Sequence, residues 1–297
     1  INHINLSKEE DDPITKCEFL FKALNNLWND YFRYIKASYK LSKEEESTEW
    51  SDNKAFLKLL ISLDERKILQ LCQSEEIKKC VSFSPQIMNH DTLRRYDYDP
   101  DNISPELQKK SSEEHKQLYN AYSRFVQNNY DKALIEPLIK KLTQLLYIVR
   151  SNIMHGEKTP KGPDINKAKR DSDVCKAVSP LLDLILELLF ENPSHRVACY
   201  GTLLPKQPNS SVIEKYDGFW SDGFVQGKID TINGLLFFKW EAKGNDIPLK
   251  IFESSSLSLN IDELDRFEGG YYKRIWIPCK LNNYFTICSI YEGRNTF

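Results

Sequence analysis

The chain of 297 residues is long enough for two domains, and its 40% hydrophobic residues are enough to build a buried core in each. This composition excludes disorder of the whole chain. The formal net charge of −2 excludes a general attraction to nucleic acid, so any contact with RNA must depend on a local basic patch.

The seven cysteines are scattered, and no two of them form a Cys-x-x-Cys pair. They predict reduced, mostly buried thiols rather than a zinc ribbon or a secreted disulfide scaffold. No stretch approaches the ~18 consecutive apolar residues of a membrane span, and the charged residues 1–12 are unlike a signal peptide. We therefore expect a cytoplasmic protein without a membrane partner. Because the first residue is Ile1 and not methionine, a targeting segment that was trimmed from the N-terminus stays an open alternative.

The first half of the chain has helical patterns. Apolar residues recur at helical spacing over residues 14–36, 53–72 and 112–128, which predicts three helices. The acidic run Glu44–Glu46 predicts a solvated linker between the first two. Residues 82–110 hold three prolines and predict a long loop.

The strongest helical pattern covers residues 132–154, where a stripe of leucines and valine ends before Gly156. Residues 157–171 combine basic residues with proline and glycine and predict a flexible basic segment. A last helix is expected over residues 173–190, and Pro180 would kink it or begin its main part.

After Pro193 the pattern changes to short runs of β-type residues separated by turn residues. We expect a short helix over residues 259–267 and a domain boundary at 193/194. The predicted fold class is α+β, with an all-helical domain at 1–193 and a compact, mostly β domain at 194–297. The β runs are residues 197–200, 224–230, 235–241, 274–280 and 284–291.

Two elements of the second domain have the residues of a ligand site. The first, Tyr200 to Leu203, places a glycine at a strand end, where bare backbone amides can hold an anion. The second, Leu264 to Gly269, sets the Glu268 carboxylate in an apolar and aromatic neighbourhood, which suits proton transfer. A lone glutamate at a helix end is also compatible with simple solvation.

The order of elements over residues 195–294 resembles the gamma-glutamylcyclotransferase (AIG2-like) family. Tyr-Gly-Thr-Leu is followed by a glycine-containing strand at 224–230, by Leu-Asp-x-x-Glu-Gly, by Tyr-x-Arg and by a strand that ends in Tyr291. One departure is Leu204-Pro205-Lys206, since family members reach a glycine soon after the first motif. The resemblance implies a small β-barrel with a cavity and a short helix.

The same resemblance implies release of 5-oxoproline from a γ-glutamyl small molecule, without metal or cofactor. Glu268 stands at the family's catalytic position, where it would move protons. The alternative is a barrel that binds such a ligand without turnover. The implied substrate-binding residues are Tyr200, Gly201, Thr202, Leu203 and Tyr272.

Arg150 and His155 stand five positions apart at the end of the strongest predicted helix. On a continuous helix this spacing separates them by about 140°, so they would meet one ligand only if the helix ends between them or two subunits contribute. The ordinary interpretation is an arginine on a solvated face and a terminal histidine stabilised by the helix dipole. The stretch resembles the HEPN domain family over residues 14–190, whose nucleases carry Arg, four to six residues and then His. Here Ser151 stands where active members commonly have Asn or Asp.

The HEPN resemblance implies a homodimer through the helical domain, with two motifs in one cleft. Arg150 would hold the scissile phosphate, and His155 would move protons in metal-independent RNA cleavage. Some HEPN domains only bind or dimerise, so the alternative is a non-catalytic RNA-binding or interaction protein whose barrel senses a ligand. We expect such a fusion in a toxin or phage-defence context. The implied RNA-binding patch, which is equally compatible with a solvated loop, is Lys158, Lys161, Lys167 and Lys169.

Overall fold

A computed structural model describes residues 1–38, 52–95, 103–154, 165–241, 244–281 and 284–294. The chain divides into two compact units, Asn2–Leu186 and Glu187–Phe297, and Ile1 is grouped with the second. The change of unit lies inside the last helix of the first half, so the second unit begins with helical residues.

In the first unit, α-helices and short connections make up the residues that the structure describes. Helix α9 is central, because it contacts α2, α3, α4 and α8 and its leucine face, for example Leu138 and Leu142, is fully buried. The helices are α1 Asn2–Glu9, α2 Pro13–Ser38, α3 Asp52–Ile61, α4 Glu65–Gln73, α5 Glu75–Val81, α6 His90–Arg94, α7 Pro105–Ser111, α8 Glu113–Gln127, α9 Ile135–Met154 and α10 Ile165–Leu189.

Helices α2, α8 and α9 confirm three of the predicted helices. The single helix predicted over residues 53–72 is wrong, because the chain breaks after Ile61 and starts again as α4. Asp64 makes that new start stable: its carboxylate accepts a hydrogen bond from the Lys67 N–H at 2.9 Å. An N-cap of this kind satisfies an amide that the first helical turn leaves unpaired.

The loop predicted over residues 82–110 is wrong in two places, since α6 and α7 lie within it. Each short helix has its own N-cap. Asn89 accepts from the Thr92 N–H, and Ser104 accepts from the Leu107 N–H, both at 3.2 Å. These caps compensate for lengths that give little intrinsic helix stability.

The flexible basic segment predicted over residues 157–171 is wrong from Ile165 onward, because α10 begins there. Pro180 lies inside α10 rather than at its beginning. A proline removes one backbone hydrogen bond, and the packing of the apolar stripe around it, including Leu181 and Ile185, outweighs that loss. The predicted acidic linker Glu44–Glu46 falls outside the described residues.

The second unit is built on one mixed sheet in the order β3-β2-β4-β1-β6-β5. Strand β2 also pairs with β5, so β2, β4, β1, β6 and β5 close into a five-stranded barrel and β3 extends it beside β2. The β1–β6 pairing is parallel and the others are antiparallel. The strands are β1 Arg196–Cys199, β2 Phe219–Ile232, β3 Leu235–Trp240, β4 Asn245–Glu253, β5 Tyr272–Leu281 and β6 Tyr284–Gly293.

The five predicted β runs are confirmed, and β4 was missed. The barrel interior is filled by side chains that are almost fully buried, such as Val225, Ile251 and Ile277. A second cluster packs α12, Leu257–Glu268, against the barrel through Phe252 and Leu264. Helix α12 confirms the predicted short helix. A further short helix, α11, covers Ser211–Glu214.

All seven cysteines are free and buried, which confirms the prediction of reduced, buried thiols. None of the helices in the described ranges combines the length and the apolar character that crossing a bilayer requires.

Candidate active site

A cavity of about 600 Å³ opens in the second unit beside the end of β1, the start of β3 and the end of α12. Its size falls in the range of small-molecule sites, roughly 300–1,000 Å³. The wall includes the six residues that the sequence singles out in this unit, namely Tyr200, Gly201, Thr202, Leu203, Glu268 and Tyr272.

Tyr200 anchors the end of β1. Its hydroxyl donates to the Tyr291 carbonyl at 2.7 Å and accepts from the Phe238 N–H at 3.3 Å. Its ring packs against Phe238 with 5.7 Å between centroids, and burial raises the pKa of its phenol well above the usual value. The hydroxyl is therefore neutral and already engaged, so Tyr200 offers a ligand its ring and backbone.

The turn after Tyr200 leaves its backbone amides available. The N–H groups of Gly201, Thr202 and Leu203 donate no hydrogen bond to another residue within the described ranges. Asn209 fixes the turn instead through the oxygens of Thr202, because its backbone N–H and its side-chain amide donate to them at 3.1 and 3.0 Å. Successive free amides on a cavity wall are suited to an anionic group.

The segment that departs from the family pattern has an unusual backbone. Lys206 has a φ of 66°, the left-handed region that favours glycine. A side chain in that conformation costs roughly 1–2 kcal/mol. The turn therefore keeps a glycine-type conformation although Leu204, Pro205 and Lys206 include no glycine.

Glu268 is the last residue of α12 and lies on the cavity wall, half-buried. Its carboxylate forms no hydrogen bond or ion pair with any residue in the described part of the chain. Burial raises its pKa to about 7. Near neutral pH both protonation states are therefore populated, which allows the group to accept a proton and return it.

Asp265 holds the last turn of α12 in place. Its carboxylate accepts two hydrogen bonds from the Arg274 guanidinium, at 2.9 and 3.1 Å, and one from the Tyr291 hydroxyl at 2.8 Å. The Tyr291 carbonyl in turn accepts from Tyr200. This chain of contacts links the helix that carries Glu268 to the strand end that carries the free amides.

Sequence reasoning assigned no role to Asp265, Arg274 or Tyr291, although all three stood in the quoted motifs. The signal that could have found them is their place in the motifs that surround Glu268, namely Leu-Asp-x-x-Glu-Gly, Tyr-x-Arg and the strand that ends in Tyr291. Tyr272 is also a wall residue: its hydroxyl donates to the Leu236 carbonyl at 2.9 Å.

Arg150 makes its contacts within the helical unit. Its guanidinium donates to Asn25 Oδ1 at 2.9 Å, lies 3.3 Å from an Asp52 carboxylate oxygen, and packs over the rings of Trp28 and Tyr147. The side chain is 17% exposed, so the interpretation as an arginine on a solvated face is wrong. The neighbouring aromatic rings stabilise the buried cation.

The other predicted residues of the helical unit are described only in part. His155, Lys158 and Lys161 fall outside the described residues. Lys167 and Lys169 lie on α10, and Lys169 is exposed.

No protein-family model and no curated protein matches the chain. Among solved structures, the chain is similar to an AIG2-like protein from Mus musculus, with 20% identity and a TM-score of 0.29 over 35% of this chain and 78% of that one. It is also similar to YkqA from Bacillus subtilis, with 18% identity and a TM-score of 0.29 over 34% of this chain and 36% of that one. The chain thus spans about a third of YkqA, and each similarity concerns about a third of the chain.

Proposed function

We propose that the second unit releases 5-oxoproline from a γ-glutamyl amide, with Glu268 as the proton-transfer group. One observation carries the proposal: a half-buried carboxyl group with a pKa of about 7 lies on the same cavity wall as the free amides of Gly201, Thr202 and Leu203. The amides are matched to the α-carboxylate of the γ-glutamyl group, and the carboxyl group to its α-ammonium.

The reaction begins when the Glu268 carboxylate accepts a proton from the α-ammonium, which makes that nitrogen a nucleophile. The nitrogen attacks the γ-carbonyl carbon, and a five-membered ring closes as the new C–N bond forms. After the attack the ring nitrogen carries two hydrogens and a positive charge. Glu268 gives its proton to the leaving nitrogen, takes the surplus proton from the ring nitrogen, and the original amide C–N bond breaks. Glu268 then passes this second proton to the released amine, so the products are 5-oxoproline and an ammonium ion, and atoms and protons balance without a co-reactant.

Two features of the site support this sequence of steps. The pKa of Glu268 is high enough for its carboxylate to take a proton and low enough for its acid form to give one up at neutral pH. Asp265, fixed by Arg274 and Tyr291, holds the end of α12, so Glu268 starts from a defined backbone position.

The test is 5-oxoproline release from γ-glutamyl amides, measured by mass spectrometry. Glu268→Gln keeps the size of the side chain and removes proton transfer, so we expect release to fall by about 10²–10⁴-fold. The control is Glu263→Gln on the same helix, because Glu263 bonds to Lys215 and Tyr216 and does not line the cavity. Equal release by wild type and Glu268→Gln would refute the role of Glu268. Ligand binding without any release would favour the non-catalytic sensor.

RNA cleavage by the helical unit stays a prediction, as do the homodimer and the toxin or defence role. The contacts of Arg150 favour a role in packing α9 against α2 and α3. Arg150→Ala and His155→Ala test the nuclease hypothesis, which expects wild type to cleave RNA and both variants to be inactive. Equal cleavage by wild type and the two variants would refute that hypothesis.

A further inference from the structure

The mouth of the cavity carries apolar side chains that remain accessible to solvent. They come from the start of β3 and from the end of α12 with the turn that follows it. Clustered exposed apolar side chains mark a binding surface, because leaving them in water is unfavourable. This apolar rim consists of Leu235, 45% exposed, Leu236, 36%, Phe267, 43%, and Tyr271, 55%.

Charge is nearly absent from the cavity. Among the described residues that line it, Glu268 is the one charged side chain, and no lysine or arginine is present. A nearby cation, Arg274, is bound to Asp265 by two hydrogen bonds. A ligand carboxylate at the rim would lose water without gaining a cation, and a ligand ammonium would compete for the carboxylate that moves the proton.

The positions of the polar groups fix the direction of the substrate. If the α-carboxylate is held by the amides of residues 201–203 and the α-ammonium by Glu268, the leaving group extends toward the remaining wall. The exposed part of that wall is the apolar rim together with Gln207 and Gly234, and it carries no charge. Resting on the proposed function, we infer that the preferred substrate class is γ-glutamyl amides of bulky, apolar, uncharged amines.

Three matched probes test the inference. γ-Glutamyl-phenethylamide and γ-glutamyl-phenylalanine differ by one carboxylate, whereas γ-glutamyl-ethylamide lacks only the phenyl ring. We expect kcat/KM for the phenethylamide to exceed each of the others by about tenfold or more. Equal or higher values for γ-glutamyl-phenylalanine or the ethylamide would overturn the inference and leave the proposed function standing.

Binding separates this inference from the proposed function. Calorimetry with Glu268→Gln measures the affinity of the same probes without turnover. If wild type releases no 5-oxoproline but the phenethylamide still binds about tenfold more tightly than the others, the proposed function fails and the preference of the cavity for bulky, apolar, uncharged groups stands. If none of the probes reacts with wild type or binds to either protein, both fail.

A substitution at the rim makes the test directional. Leu235→Lys adds a cation at an exposed position. It should therefore raise the kcat/KM for γ-glutamyl-phenylalanine, relative to that for the phenethylamide, by about fivefold. The matched control is Leu259→Lys, since Leu259 is 85% exposed on α12 and does not line the cavity. The control should leave the ratio unchanged, and an equal change in both variants would overturn the assignment of the rim.

Discussion

The raised pKa of Glu268 predicts that this residue destabilises the second unit at neutral and alkaline pH. The unfolded chain loses the glutamate proton near pH 4.5, whereas the folded unit keeps it until about pH 7. Between these values the unfolded state binds fewer protons, so the stability of the folded unit falls as the pH rises. Glu268→Gln removes the ionisation and should remove this loss.

The rise of the pKa from 4.5 to about 7 corresponds to about 3 kcal/mol, at roughly 1.4 kcal/mol per pKa unit. Because Glu268 is only half-buried, this figure is an upper bound. Glu268→Gln should therefore match wild type near pH 4 and exceed its free energy of unfolding by up to about 3 kcal/mol at pH 8. Such a gain at the cost of catalysis is expected where a residue is kept for function.

The assay is denaturant-dependent hydrogen exchange, read on peptides of β1 and β6 so that the helical unit does not contribute. The control Glu263→Gln should change the free energy of unfolding in the opposite direction, because the hydrogen bonds from Lys215 and Tyr216 lower the pKa of Glu263. That variant should lose stability at pH 8 and match wild type at acid pH. If Glu268→Gln is no more stable than wild type at pH 8, burial does not raise the pKa of Glu268 and this prediction is refuted.

Three further outcomes follow from the packing. Asp265→Asn leaves the guanidinium of Arg274, 16% exposed, without its anion and should cost about 3 kcal/mol of unfolding free energy in the second unit; unchanged denaturant unfolding would contradict this. Burial lowers the pKa of His115 below 6.5, so the helical unit should lose stability as the pH falls through 6.5. Thermal melts at pH 5 and 8 should show a smaller pH dependence of stability for His115→Phe than for wild type. Gly227→Ala places a methyl group 2.4 Å from a backbone oxygen of β3 and should cost about 1–3 kcal/mol, whereas Gly270→Ala meets nothing within 4 Å and should be nearly neutral in the same melts.

The elements that the sequence predicted are those with a clear local pattern. The leucine stripe of α9 and the β-branched and aromatic runs of β1 and β5 specify helix or strand over several residues. Strand β4 was missed because Asn245, Asp246 and Pro248 interrupt its alternation. Pairing with β1 on one side and β2 on the other stabilises this strand, and a short stretch of sequence does not indicate which strands will pair with it.

The same limit applies to the site. A glycine after a strand and a glutamate at a helix end are local signals, and both lie on the cavity wall. The contacts of Asp265 with Arg274 and Tyr291 join residues 9 and 26 positions apart, which sequence spacing alone does not specify. The ordinary interpretation of Arg150 as a solvated residue failed because helical periodicity treats every charged residue as polar. One of its aromatic neighbours, Tyr147, lies one turn earlier on α9, but the other, Trp28, comes from α2, and sequence spacing does not predict that contact.

The burial of all seven thiols makes the native chain a convenient starting point for chemical labelling. A maleimide reacts with the thiolate, and burial both blocks access to these sulfurs and raises the pKa of Cys72 and Cys80 to about 12. A cysteine introduced at Leu259, which is 85% exposed, would therefore react selectively without prior removal of the natural ones. A fluorophore at that position would report on α12 in the intact protein while ligands are added.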